Sequence, residues 1–214
     1  MTQWHERWRD DRIGFHRSAP NPNLTHHALG IRGWPGSVFL PLCGKTLDMI
    51  WLSERGARVV GNELVPKAVR AFFEENGLEP EQTPVDGLVS LKTKDIEILQ
   101  GDFFDLRKEH LGSLDWAFDR GSLIALPPDL RPKYCRHLIE LLGPGKEILL
   151  VHVEYDQEKM KGPPFSVSIE ELRKHFDGHD LTLLDEQPAL QPDSPFRAHG
   201  LTWLTERVWR IVLS

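Results

Sequence analysis

The stretch 37-SVFLPLCGKTLDMIWLSERGARVVGNEL-64 decides the fold. Residues 37–42 form an apolar run short enough for a buried strand, and 57–64 form a second. Between them, Thr46 to Arg55 reads as a helix that places Leu47, Ile50 and Trp51 on one face, stopped by Gly56. Strand, helix and strand in succession are the signature of an α/β chain.

The same alternation continues on both sides. Pro66 opens a helix in which Ala68, Val69, Phe72, Phe73 and Asn76 recur at helical spacing before Gly77. Residues 78–90, rich in Pro and Gly, read as a loop. Residues 95–101, 114–120 and 147–155 read as strands. A helix is expected from Asp129 to Leu142, with the stripe Leu130, Tyr134, Leu138 and Leu141, ended by Gly143-Pro144-Gly145. After a loop at 156–167 come a short helix near 168–176 and two final strands, 181–187 and 201–213. With no helix between them, these two read as an antiparallel hairpin at one edge. The expectation is a doubly wound, seven-stranded, mostly parallel sheet in a single domain spanning 1–214. A chain of 214 residues suits one such core. That arrangement resembles the class I methyltransferase fold; a plain dinucleotide-binding fold more often closes with a sixth parallel strand.

Charge and composition narrow the partners. Lys plus Arg number 26 against 32 Asp plus Glu, a net charge of -6, which disfavours phosphate backbones and anionic membrane surfaces. Cys43 and Cys135 supply neither a disulfide framework nor a four-ligand zinc site, in keeping with a reducing cytoplasm. The opening MTQWHERWRDD has charges where a signal peptide needs an apolar core, so a cytoplasmic location is expected. No apolar run has the length of a membrane span.

In a doubly wound sheet, ligands bind beyond the carboxyl ends of the strands. The first such end is 40-LPLCGKT-46. A phosphate-binding loop ending in Gly44-Lys45-Thr46 would need glycine where Phe39 stands, and one glycine cannot make a dinucleotide fingerprint. This turn suits a ligand without phosphates there. Glu63 ends the second strand, where an acidic residue grips ribose hydroxyls; the alternative is a solvated loop carboxylate. After the third strand, 100-QGDFFDL-106 offers Asp102 to an adenine edge and Phe103 to its ring, or Asp102 simply caps a helix. After the fourth, 119-DRGSL-123 sets Arg120 where reacting atoms meet, or pairs it with Asp119.

The ordered segments 4-WHERW-8, 13-IGFH-16, 39-FLPLCGK-45, 59-VVGNE-63, 119-DRGSL-123, 162-GPPF-165 and the tail from Phe196 to Gly200 resemble the thiopurine S-methyltransferase family, in its shorter bacterial-type form. The resemblance covers nearly the whole chain. It implies S-adenosylmethionine as cofactor, contacted by Trp4, Trp8, Phe15, Leu42, Glu63, Asp102, Phe103 and Arg120. It implies a small aromatic or heterocyclic thiol as substrate, or a selenium or tellurium compound, met by Phe15, Arg120 and Arg197, with Arg120 as the catalytic group. A monomer without nucleic-acid or membrane partners is expected. Two departures stand out: Asn62 occupies a position where an aliphatic residue is expected, and the spacing around Arg197 differs from the longer vertebrate-like forms.

Trp4 and Trp8 sit i, i+4 on a short amphipathic helix, within a segment 1–30 expected to form a helical lid over the cofactor. Packing on the core is the plainer use of such tryptophans, while an aromatic face also attracts a sulfonium cation by about 0.5–2 kcal/mol. Arg120 keeps its proton, so its expected role is to favour a thiolate by charge. Cys43 reads as a small turn residue. His175 and His179 are separated by the helix-breaking Gly178 and have no third ligand nearby, so no metal is expected, and His26-His27 reads as solvent-facing. A nicotinamide-dependent oxidoreductase and a non-catalytic binding module are the competing classes; titration with S-adenosylhomocysteine and NAD separates them.

Overall fold

A computed structural model describes residues 2–14 and 16–214. Phe15, expected to meet cofactor and substrate, lies outside the described residues. The chain divides into two compact units, 1–118 and 119–214.

The first unit contains α1 (Thr2–Arg9), α2 (Pro22–His27), β1 (Ser37–Leu40), α3 (Asp48–Ser53), β2 (Arg58–Glu63), α4 (Pro66–Glu75), β3 (Glu81–Val85), β4 (Leu88–Lys92), β5 (Ile96–Gln100) and α5 (Lys108–Leu111). The start of β6 (Trp116–Arg120) also belongs to it. The strands run in the order β3-β4-β5-β2-β1-β6. β1 lies parallel to β2 on one side and to β6 on the other, so the chain reverses its direction of winding there. In doubly wound sheets such a switch point marks where ligands bind, beyond the carboxyl ends of the strands. All four residues of β1 are buried, as expected of a strand in the middle of a parallel sheet.

Helix α4 buries Ala68, Val69, Phe72 and Phe73, the spaced apolar residues read from the sequence. Each Phe removed from water contributes about 1.5–3 kcal/mol. Helix α3 is shorter than expected and turns differently: Met49 and Leu52 are fully buried, while Leu47, Ile50 and Trp51 are half-buried. Trp51 is occupied sideways, with the Arg55 guanidinium 4.1 Å from its ring centre and Trp34 at 5.6 Å.

Residues 78–90 are not a loop. They carry β3 and most of β4, an antiparallel hairpin added to the seven expected strands, making nine among the described residues. The signal was Asp86-Gly87: both residues have positive φ, 47° and 88°, as a two-residue hairpin turn requires. Pro84 on the exposed strand β3 cannot donate to a further neighbour, which suits an edge.

The second unit contains α6 (Arg131–Leu142), β7 (Glu147–Glu154), α7 (Ile169–His175), β8 (Asp180–Pro188) and β9 (Thr205–Val212). β9 lies antiparallel between β7 and β8, in the order β7-β9-β8. The expected terminal pair is therefore present. Leu130, placed on the buried stripe of α6 by its spacing, is instead the residue before the helix and is 37% exposed. The stripe proper is Tyr134, Cys135, Leu138, Leu141 and Leu142.

Two buried polar side chains in this unit, His152 and Arg131, are held by hydrogen bonds. Trp209 donates its indole N–H to His152 Nε2 at 2.9 Å, which leaves the proton on Nδ1 facing Val167 O at 2.9 Å. Burial pushes the His152 imidazole down to about 4, so this tautomer is neutral. Arg131, 1% exposed, donates to both carboxylate oxygens of Glu171 at 2.8 and 2.9 Å and to the carbonyls of Leu126 and Ser166. It thereby fixes the chain around 164–168 to α6 and α7.

Candidate functional site

The site in the first unit is built by the ends of β1, β2 and β5. After Leu40 the chain turns sharply, with Leu42 at φ 45° and Gly44 at φ 57°. A leucine in the left-handed region costs of order 1 kcal/mol or more and persists only where neighbours hold it. Here they do. Cys43 N donates to Asn62 O at 2.8 Å, and Gly44 N donates to Glu63 Oε2 at 2.8 Å. Gly61 lets the turn lie against β2, because a Cβ there would fall 2.8 Å from Cys43 Sγ and 3.1 Å from Met49 Sδ.

Glu63 is 7% exposed, which excludes the solvated carboxylate. Its Oε1 accepts from Val65 N at 2.7 Å, complementing the bond from Gly44 to the other oxygen. Burial raises its carboxyl from the ordinary glutamate value, opposed by the amides of Val65, Gly44 and Leu64. The side chain is thus held in place by two hydrogen bonds. A carboxylate offers about four acceptor directions, so it retains capacity for hydroxyl donors.

At the end of β5, Gly101 N donates to Glu63 O at 2.9 Å, and Asp102 follows. Asp102 does cap the short 3-10 turn Phe103–Asp105, its Oδ1 accepting from Phe104 N at 3.0 Å. The carboxylate has a second oxygen to present. Phe103 is buried, its ring stacked on Phe39 with centres 6.5 Å apart and planes within 15°.

Helix α1 packs beside this edge. Trp8 is 3% exposed and forms a cluster with Val65 and Ala68, against which Trp4, Ile13 and Leu64 also pack. Lys67 Nζ donates to Trp8 O at 2.7 Å, tying the end of α1 to α4. Trp8 is therefore a core residue by contact, whatever else it does, and Trp4 is half-buried with Arg7 5.7 Å from its ring.

The edge fits S-adenosylmethionine on the chemistry of its donors and acceptors. A buried acceptor at Glu63 matches a ribose diol, a carboxylate at Asp102 matches an exocyclic amino group, and nothing in the turn gathers amides around a phosphate.

In the second unit, Arg120 ends β6 and is half-buried. Asp119 is fully buried beside it in sequence, but its carboxylate accepts from Tyr134 Oη at 2.7 Å and from Leu123 N at 3.2 Å. Burial raises the Asp119 carboxyl to about 6. Successive side chains alternate faces along a strand, so Arg120 and Asp119 leave β6 on opposite sides of the sheet. Arg197 sits in the 3-10 segment Pro195–His199, where its Nε and Nη2 donate to the carbonyls of Gln191 and Leu190 at 2.9 and 3.3 Å. His175 Nε2 lies 3.2 Å from Glu171, and His179 Nδ1 accepts from Ser214 N. Among the described residues, no cluster of three or more potential metal ligands occurs. No helix there is long and apolar enough to cross a membrane.

The model of the thiopurine S-methyltransferase family matches residues 1–213. This chain belongs to that family. A thiopurine S-methyltransferase of Nitrosospira multiformis is 42% identical over 211 residues, covering 98% of this chain and 96% of the relative. One from Pseudomonas paraeruginosa is 43% identical over 208 residues, covering 96% and 95%. Among solved structures, an S-adenosylmethionine-dependent methyltransferase of Anabaena variabilis superposes with a TM-score of 0.66 at 15% identity, over 100% of this chain and 94% of that one. The 1,6-didemethyltoxoflavin-N1-methyltransferase of Burkholderia thailandensis, solved with S-adenosylhomocysteine, gives 0.63 at 20% identity, over 99% and 86%. These likenesses establish the class I methyltransferase fold. The chain is an S-adenosylmethionine-dependent methyltransferase.

Reading the sequence missed two parts of the thiopurine S-methyltransferase framework. Asp48, 3% exposed, accepts from Asn21 N at 2.6 Å and Thr46 Oγ1 at 2.8 Å, joining the segment before α2 to the turn after β1. A lone buried Asp at a helix start gives no hint of so distant a partner. Asn62 appeared only as a departure, although a polar residue next to a strand-end acid was a usable signal.

Proposed function

We propose that this methyltransferase acts on the sulfur of a small aromatic or heterocyclic thiol of the thiopurine kind, with selenium and tellurium compounds as further acceptors. The observation that carries the acceptor class is the end-to-end similarity, above 40% identity, to relatives named for thiopurine S-methylation. Bound S-adenosylmethionine supplies a methyl group on a sulfonium centre. The chain's own residues bind, orient and exclude water, which is most of what an in-line displacement asks of a protein. Glu63 holds the ribose hydroxyls, Leu42 bounds the turn beneath them, and Asp102 and Phe103 take the base. Arg120 favours the acceptor's anion, and Arg197 and Phe15 contact the acceptor. The test is methyl transfer from S-adenosylmethionine to 6-mercaptopurine, thiophenol, selenite and phenol by the purified protein. Turnover of the thiols with none of phenol is expected; turnover of phenol alone would overturn the proposal.

The whole chain 1–214 acts as one methyltransferase domain, with 1–30 as a lid over the cofactor. Support comes from the shortness of α1, eight residues, and from its packing beside Val65 and Ala68 next to Glu63. Short elements with small contact areas open at low cost. S-adenosylhomocysteine should slow tryptic cleavage at Arg9, Arg12 and Arg17 about fivefold or more by holding the segment closed. Equal cleavage rates with and without it would assign α1 to static packing.

A further inference from the structure

Asn62 is 1% exposed and precedes Glu63 at the end of β2. Its Nδ2 donates to Leu99 O at 2.9 Å and to Gly101 O at 3.1 Å, while its backbone carbonyl accepts from Cys43 N at 2.8 Å. Because both side-chain partners are carbonyl acceptors, the amide must present its nitrogen to them. One residue therefore touches all three strand ends that build the cofactor edge.

The position matters because the ladder stops there. The last β2 to β5 rung pairs Glu63 with Gln100, and Gly101 lies beyond it. Gly101 adopts φ 153°, and a Cβ on it would lie 2.4 Å from Leu88 Cδ2, so the chain bends where only glycine fits. Asp102 leaves from this bend. Its direction depends on how Gly101 is held on both sides: the Gly101 N–H donates to Glu63 O at 2.9 Å, and its carbonyl accepts from the Asn62 amide at 3.1 Å.

We propose that Asn62 is a positioning residue for the cofactor's base, stapling the ribose strand to the Gly101-Asp102 bend so that Glu63 and Asp102 keep a fixed spacing before the ligand arrives. This rests on the assignment of Glu63 to the ribose and Asp102 to the base. An aliphatic residue at 62 would fill the volume but supply no donor, leaving the bend held by its N–H on Glu63 O alone and its carbonyl side to be ordered at the moment of binding. Ordering then is subtracted from affinity.

The experiment is calorimetric titration of wild type, Asn62→Val and Asp102→Ala with S-adenosylhomocysteine and with S-inosylhomocysteine, whose ring carbonyl replaces the amino group. Wild type should prefer the adenine form. Asn62→Val should bind S-adenosylhomocysteine about tenfold more weakly, as losing a hydrogen bond to a buried acceptor predicts, with a smaller loss for the inosine form. The preference therefore narrows, and the KM for S-adenosylmethionine rises by more than kcat falls. Unchanged affinity, or equal losses for both ligands at a lowered melting temperature, would overturn the proposal and leave Asn62 as packing. Asp102→Ala reports separately on the base assignment: a preference untouched in that variant overturns the role of Asp102, and Asn62 is then judged by its effect on affinity alone. If Asn62→Val does not fold, Asn62→Ser, too short to reach both carbonyls, carries the same measurement.

Discussion

Glu63→Ala weakens S-adenosylhomocysteine binding by about a hundredfold or more, the largest loss expected of any single side chain at the cofactor edge. Two contributions add. Charge-assisted hydrogen bonds to ribose hydroxyls are worth about 1.5–3 kcal/mol, and each 1.4 kcal/mol is a decade of affinity. The second comes from the protein itself. The carboxylate holds Gly44 N and Val65 N, and removing it frees the strained turn at Leu42 that the ligand must then order. The same loss leaves buried amides without an acceptor, at a cost of about 1–3 kcal/mol each, so the melting temperature falls as well. Glu63→Gln is not a mild replacement. One of its two terminal atoms becomes a donor, facing either the Gly44 or the Val65 amide. Calorimetry on folded protein decides the matter, and a dissociation constant equal to wild type would remove Glu63 from the ribose.

Arg120→Ala lowers kcat/KM for a thiopurine acceptor by about a hundredfold near pH 6, and the deficit shrinks toward pH 10. Arginine stays protonated throughout that range, so it cannot serve as a base and acts through its charge. A fixed cation lowers the pKa of a neighbouring thiol and favours the anion that attacks. As the pH rises, the acceptor ionises unaided and the cation contributes less. Arg120→Lys should keep part of the effect, since the charge survives while the planar fork is lost. Neighbouring Asp119, whose carboxyl is raised to about 6, titrates at the acid end of this range, so the decisive part of the comparison is from pH 7.5 to 10, where Asp119 stays ionised. A deficit constant from pH 6 to 10 would show that Arg120 does not promote thiol ionisation.

The apolar face of α4 was readable because a buried helix face leaves an i, i+3, i+4 record whatever it packs against. The hairpin of β3 and β4 was overlooked because Pro84 and Gly87 suggest a loop, although Asp86-Gly87 is a hairpin turn by its own chemistry. Trp51 and Leu47 have the spacing of a core face, yet Met49 and Leu52 occupy it, since six residues of helix are too few for spacing to fix rotation. Helix capping by Asp102 and base recognition by it read as alternatives, yet the cap occupies only one carboxylate oxygen, so the two do not exclude each other.

By itself the sequence determined the α/β class, the seven strands of the common fold, the antiparallel end and the family, because each is written in local periodicity, turn residues or ordered motifs. It also determined that the turn after β1 has too few glycines to gather amides round a phosphate. Tertiary structure alone decided that Glu63 is buried and held by Gly44 and Val65, that Trp8 packs on Val65 and Ala68, that Asp119 belongs to Tyr134, and that Asn62 joins three strand ends. The physical reason is the same in each case: a hydrogen bond or a packing contact between distant positions depends on register and side-chain direction, and neither leaves a periodic trace along the chain.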